Sequence, residues 1–207
     1  TATILSDGRV LLAGGEGTGG ISQSADVFNP ATNSFSFIGN LSMPRKGAAS
    51  AALAGGRVLI SGGFIATSPT VAPTVTTDIF DPTTNSITPG PAMISPRGNH
   101  SATALLNGKI LIAGGNNGSA DLASAEAFDP STNSFAAAGS LPAPRSGHLA
   151  FLLPENNSVL FAGGSAPTSA AVLFVPDWMG ATGSFQTTGA LTAARANASG
   201  STLSIGS

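Results

Sequence analysis

The chain has 207 residues and few charges: Asp, Glu, Lys and Arg make up 9% of it, against about 25% in an ordinary soluble domain, and the formal net charge is -2. Its 8 Lys and Arg are too few for the basic stripe that a phosphate backbone demands, which excludes nucleic acid as a partner, and no apolar run reaches the roughly 18 residues of a membrane-spanning helix. The absence of cysteine excludes disulfides, thiolate metal sites and thiol nucleophiles, while 27 Gly and 14 Pro stay below the share that marks low-complexity chains.

In chain order, Thr1 to Ala13 (TATILSDGRVLLA) aligns without a gap on Ser101 to Ala113. In that later copy Ser101 to Leu106 is one strand, Asn107-Gly108 supplies the positive-φ pair of a two-residue hairpin, and Lys109 to Ala113 returns antiparallel. Gly14-Gly15 ends the second strand, where a bend or bulge is expected. The stretch Gly14 to Gly20 is rich in glycine but lacks the lysine and helix of a phosphate-binding loop. A third strand ends in Phe28, and the turn FNPATNSF follows, with Pro30 presetting φ and Asn33 suited to the left-handed region. The fourth strand carries Phe35, and Arg45 then precedes a run of small residues.

The same unit returns along the whole chain. Glycine pairs recur at Gly62-Gly63, Gly114-Gly115 and Gly163-Gly164, with spacings of 48, 52 and 49 residues, and arginines recur at Arg97, Arg145 and Arg195. Third strands end in Phe80, Phe128 and Phe174; the turns FDPTTNSI and FDPSTNSF place Asp81, Pro82, Asn85, Asp129, Pro130 and Asn133 as before; fourth strands carry Ile87, Phe135 and Phe185. The polar loop after Gly63, Ile65 to Thr77, is the longest of its kind. The last turn, VPDWMGATGSF, is longer than the others, holds the only tryptophan, Trp178, and has Gly183 where asparagine stood. Four antiparallel strands in each period of about fifty residues predict an all-β fold, a β-propeller of four-stranded blades. The repeats run approximately 1–45, 46–97, 98–145 and 146–195, within a single domain spanning 1–207.

Superposing the copies defines the innermost strand. Leu53, Leu105, Leu153 and Leu203 lie eight residues past their arginines, and the small residues Ser50, Ala102, Ala150 and Gly200 lie five past, as crowding near a propeller axis requires. Gly206 aligns with Gly108, so 196–207 reads as the inner strand of a further or closing blade. Five inner-strand segments against four sets of outer strands point to a window of a longer array, with the terminal inner strands available for self-association.

The runs GRVLLAGG, GRVLISGG and GKILIAGG, the segments SADVFNP, TTDIFDP and SAEAFDP, and the pieces MPRKGA, SPRGNHS and APRSGH resemble the kelch repeat in four copies covering essentially the whole chain. The resemblance implies kelch-type blades, about four in this chain, within a larger propeller of six or seven. Kelch units often carry tryptophan on the outer strand, where this chain has Phe35, Ile87, Phe135 and Phe185, a position expected to make core contacts. Copper-radical oxidases of the galactose oxidase kind need a tyrosine crosslinked to cysteine, and sialidase propellers a tyrosine nucleophile; this chain has neither Tyr nor Cys.

Candidate binding residues are Arg45, Arg97, Arg145 and Arg195, which at equivalent positions either ring a propeller mouth for an anion or, the favoured reading, serve the architecture of every blade. His100 and His148 share one repeat phase, but no third histidine, cysteine or carboxylate cluster completes a metal site around them. Asn99 adjoins His100, and Trp178 sits in the longest turn, where it either stacks on a sugar or packs against the adjacent strand. Asp26, Asp78 and Glu126 share a phase and read as architectural. No cofactor, metal or catalytic residue is expected. The sequence reads as a non-catalytic binding or scaffolding module for a protein or glycan, secreted or at the cell surface. The alternatives are a structural subunit of an extracellular assembly and a part of an enzyme whose site lies at the axial mouth.

Overall fold

A computed structural model describes residues 1–66, 72–165, 168–177 and 183–195. Their strands form four successive four-stranded antiparallel sheets. The first blade is β1 (Ala2–Ile4), β2 (Val10–Gly17), β3 (Gly20–Asn29) and β4 (Ser34–Asn40). In the second, β5 (Ala49–Ala52) and β6 (Val58–Ser61) are followed by a small ribbon of β7 (Phe64–Ala66) and β8 (Ala72–Pro73), then by β9 (Thr77–Asp81) and β10 (Ser86–Pro89). The third holds β11 (Ser101–Ala104), β12 (Ile110–Ala113), β13 (Ser124–Asp129) and β14 (Ser134–Ser140). The fourth holds β15 (Leu149–Leu153), β16 (Ser158–Ala162), β17 (Thr168–Pro176) and β18 (Gly183–Arg195). Consecutive inner strands β1, β5, β11 and β15 touch one another in turn, which makes the sheets blades around a common axis.

The turns follow the residue chemistry, with one correction. Asn33, Asn85 and Asn133 all take φ near +50° (51, 49 and 51), and Asp81 and Asp129 accept the amides of Thr83 and Ser131, each at 2.9 Å. The Asn107-Gly108 hairpin, however, is not a two-residue turn: only Gly108 has positive φ, at 83°. Gly108 N–H donates to Leu105 at 3.0 Å and Leu105 N–H to Lys109 at 2.8 Å, which gives a three-residue loop closed by a left-handed glycine. Asn107 Oδ1 accepts the Lys109 amide at 3.1 Å, with Asn107 at negative φ. The glycine pairs also differ among blades. β6, β12 and β16 stop just before their pairs, whereas β2 runs on through Gly14-Gly15 to Gly17 with a bulge between Ala13 and Gly15.

The apolar alternation of the strands buries three cores, one between each pair of adjacent blades. Leu11, Ala25 and Val27 of the first blade meet Val58, Ile60 and Phe80 of the second. Leu53 and Leu59 of the second meet Ile110, Ile112 and Phe128 of the third, and Leu111 and Ala127 of the third meet Val159, Phe161 and Phe174 of the fourth. The outer-strand aromatic position behaves unevenly. Phe135 and Phe185 pack against these cores, but Phe35 is 63% exposed, contrary to the expectation of a core contact. Its face of the first blade points away from the second and is covered by none of the described residues, so Ile4 and Phe37 are exposed there as well. The loop Ile65 to Thr77 falls partly outside the described residues, and so do the segment 196–207 and the Trp178 turn.

The first glycine of each pair answers to crowding. A Cβ at Gly14, Gly62 or Gly114 would lie 2.4, 2.3 or 2.5 Å from the carbonyl oxygen of Arg45, Arg97 or Arg145, at φ of 62, 57 and 62°. Gly114→Ala is therefore expected to destabilise the chain by about 2 kcal/mol or more in urea unfolding, while Gly108→Ala, which meets no neighbour, costs only its left-handed strain of roughly 1 kcal/mol.

Candidate functional site

The connector between one blade's outer strand and the next blade's inner strand carries the repeat arginine, and this residue grips both blades. Its backbone belongs to the preceding blade: Arg45 N–H donates to Ser22 at 3.0 Å, and Arg45 carbonyl accepts from Gly15 at 2.8 Å. Its side chain belongs to the following one. Arg45 Nη1 donates to the carbonyls of Gly62 and Thr76, both at 2.9 Å, and Nη2 to Thr76 Oγ1 and Asp78 Oδ2, both at 2.9 Å. Arg97 repeats the pattern, with Nη1 on Gly114 (2.6 Å) and Ser124 (3.0 Å) and Nη2 on Ser124 Oγ (3.2 Å) and Glu126 Oε1 (2.8 Å). The carboxylates are held from the connector too, by Ser42 N–H on Asp78 (3.0 Å) and Ile94 N–H on Glu126 (2.7 Å). Arg45 and Arg97 are 0% and 1% exposed, so these guanidinium groups are enclosed in the joints. Burial lowers both pKa values, and the neighbouring carboxylates oppose that shift.

Arg145 keeps the backbone half of the joint, with N–H on Leu122 at 3.1 Å, but among the described residues its guanidinium reaches only the carbonyls of Gly163 (3.3 Å) and Ala170 (3.5 Å). The side chain of Arg195 and all of Trp178 lie outside the described residues. The structure thus treats the arginines as two classes, which a shared repeat phase does not reveal.

His100 and His148 stand at the start of their inner strands, both 8% exposed. His100 Nε2 is 2.9 Å from Ser61 Oγ and His148 Nε2 is 2.9 Å from Ser101 Oγ, while neither Nδ1 has a hydrogen-bond partner among the described residues. Burial, followed by the charge of Arg97, lowers the pKa of His100 to about 3; burial, followed by Arg145, lowers that of His148 to about 4. Both rings are neutral at pH 7, and no group of three or more His, Cys, Asp or Glu suited to a metal occurs among the described residues. Asn99 is also built into the frame. It takes φ of 53° at the phase of Gly47 and Gly147, its N–H donates to Gly47 at 2.7 Å, and its carbonyl accepts from Gly147 at 2.8 Å, linking three connectors around the axis.

The loops between the second and third strands of each blade lie beside these connectors and make one rim. Gly98 bridges Asn116, Lys46 bridges Phe64, and Ser165 N–H donates to Ser146 at 2.7 Å. Sequence reasoning missed the cluster on this rim: Asp121 accepts from Asn116 Nδ2 at 2.8 Å and from Ser165 Oγ across the gap between the third and fourth blades. Burial would raise the Asp121 pKa, but the hydrogen bonds from Ser165, Asn116 and Ser146 outweigh it and hold the carboxyl below its ordinary value. The residues are dispersed over non-equivalent loops, so no repeat or motif signals them. On the same rim Lys46 Nζ pairs with Glu16 at 2.6 Å.

Residues 96–142, which run from the connector after the second blade through β14, match the family model described as Kelch motif. The chain is similar to the solved structure titled "Structure of YjhT", with a TM-score of 0.72 and 16% sequence identity over 92% of this chain and 64% of that one. No curated protein matches. The chain carries the kelch motif on an all-β, propeller-like fold of about four blades, and spans 64% of the length of YjhT.

The buried histidines tie stability to pH. Their folded pKa values lie below the unfolded value of about 6.5, so the stability they permit is complete above that pH and is lost as the unfolded state takes up protons below it. Between pH 6.5 and 4 the unfolding free energy should fall by up to about 1.4 kcal/mol per pH unit for each histidine. Urea titrations across this window should show a shallower slope in His100→Gln than in the parent chain; an unchanged slope would show that His100 is protonated in the fold.

Proposed function

We propose that this chain, built of kelch-type blades, is a non-catalytic module that binds a protein or glycan partner at the rim formed by its connectors and its second-to-third-strand loops. The observation that carries this reading is the division of labour between the two kinds of residue. The repeat-phase Arg45, Arg97, Asp78, Glu126, His100 and Asn99 are spent on joints, while the rim holds polar groups that differ from blade to blade, among them Asn116, Asp121 and Ser165. A rigid frame with variable polar loops suits recognition of hydroxyl-rich or amide-rich surfaces. The sparse lysine and abundant Ser, Thr and Asn of the chain fit a place outside the cytoplasm, which belongs to the proposal.

A second reading, a structural subunit in a larger assembly, is favoured by one observation. The outward face of the first blade exposes Ile4, Phe35 and Phe37 at 73, 63 and 63%, in a sheet whose opposite face is a well-packed blade junction.

One experiment separates them. Glycan-array and solution binding of the intact chain should be lost in Asp121→Ala and Asn116→Ala and kept in Thr83→Ala on the opposite rim, with light scattering giving a single copy. Binding that ignores the rim variants contradicts the first reading. Multimers that dissociate in Phe35→Ser with Phe37→Ser support the second.

A further inference from the structure

Arg145 keeps the two Nη1 contacts to carbonyls that Arg45 and Arg97 make, but among the described residues none of their contacts to side chains. Where Asp78 and Glu126 meet the earlier guanidinium groups, the corresponding β17 residue, which pairs with Phe161 as Glu126 pairs with Ile112, is Val172. Where Thr76 and Ser124 add a hydroxyl, the fourth blade has Ala170. Where Ser42 and Ile94 give an amide to the carboxylate, the connector has Pro142, which has none. All three partners are lost together, yet the arginine stays.

The result is a buried cation with no counter-charge among the described residues. Arg145 is 4% exposed, its Nη2, which in Arg45 and Arg97 bonds the acid, makes no hydrogen bond among the described residues, its Nε has no partner there either, as in Arg97, and burial alone lowers its pKa. Leaving one charge of a buried pair uncompensated is strongly unfavourable, whereas replacing a whole ion pair by apolar residues is often neutral. Here the acid was replaced and the guanidinium was not. Beside it opens a cavity of about 340 Å³ lined by Pro142, Ala143, Pro144, Ala170, Val172 and Thr187 together with Arg145. The equivalent cleft in the third blade, about 300 Å³, is lined by both Arg97 and its partner Glu126.

We propose that the Arg145 cavity is a binding site for a small monocarboxylate with a short aliphatic body, whose carboxylate takes the place that Asp78 and Glu126 fill in the preceding blades. A carboxylate in that position meets Nη2, the guanidinium nitrogen that Asp78 and Glu126 bond in the earlier blades, and one cation neutralises one negative charge. The aliphatic lining of Pro142, Pro144, Ala170 and Val172 selects an alkyl chain over a second charged or hydroxylated group. This site lies at the blade junction and is independent of binding at the rim.

The test uses the intact chain with sodium butyrate as the probe, against sodium chloride at equal ionic strength and pH 7. Butyrate should raise the melting temperature in proportion to the logarithm of its concentration, and should shift the Arg145 Nε–H resonance in ¹⁵N-detected spectra. Val172→Glu, which rebuilds the Arg97–Glu126 arrangement, should melt higher than the parent chain and lose the response to butyrate at least tenfold. Equal melting in butyrate and chloride with a stationary Nε–H resonance would overturn the proposal, as would a full response in folded Val172→Glu. If that variant does not fold, the resonance shift in the parent chain decides alone.

Discussion

The fold depends on a single kind of contact, an arginine whose backbone is bonded to one blade and whose side chain is bonded to the next. A propeller blade is a sheet with two apolar faces, and burying those faces against neighbours supplies most of the stability while leaving relative orientation loosely specified. Directional bonds supply the orientation. Arg45 carries a backbone bond to Ser22 on one side and four side-chain bonds to Gly62, Thr76 and Asp78 on the other, all shielded from water. A charge so deeply buried costs several kcal/mol when its partners are removed, so the joint of Arg45 favours one arrangement of the two blades.

The rest of the repeat is shaped around this residue. The first glycine of each pair leaves room for the arginine carbonyl, and the second donates its N–H to it, at 2.8, 2.9 and 2.9 Å in successive blades. The third-strand acid neutralises the guanidinium and fixes the connector through its amides. The histidine rings fill space over the glycine pair of the preceding blade, with His100 Cε1 2.8 Å from where a Gly62 Cβ would be and His148 Cε1 2.8 Å from where a Gly114 Cβ would be, and their burial keeps them neutral. With these positions committed to the frame, the residues that differ from blade to blade are those of loops outside the repeat phase, and among the described joints that of Arg145 has lost its acid.

Much of this was legible in the sequence because repetition exposes what every blade needs. The strand order, the asparagine-capped turns and the architectural role of Asp78 and Glu126 follow from phase alone. Three things did not follow. That Gly108 alone takes positive φ, with Asn107 Oδ1 on the Lys109 amide, is not encoded in the dipeptide. The exposure of Phe35 depends on what lies against the sheet and not on the strand that bears it. The Asp121–Ser165 contact joins loops of different blades that have no counterpart in the repeat. The vacancy opposite Arg145 was written in Val172, Ala170 and Pro142, but it becomes meaningful only once the partners of Arg97 are known.

The central claim is that arginine and acid act as one unit that joins adjacent blades, and a double-mutant cycle on Arg97 and Glu126 tests it most directly. With Arg97→Met, Glu126→Leu and the double variant measured by urea unfolding, each single change should cost about 3–5 kcal/mol because it leaves a buried group unpaired. The double variant should cost far less than the sum, with a coupling of about 2 kcal/mol or more. Losses that add to within about 0.5 kcal/mol would mean that the two residues stabilise the blades independently, and the account of the joint would fail.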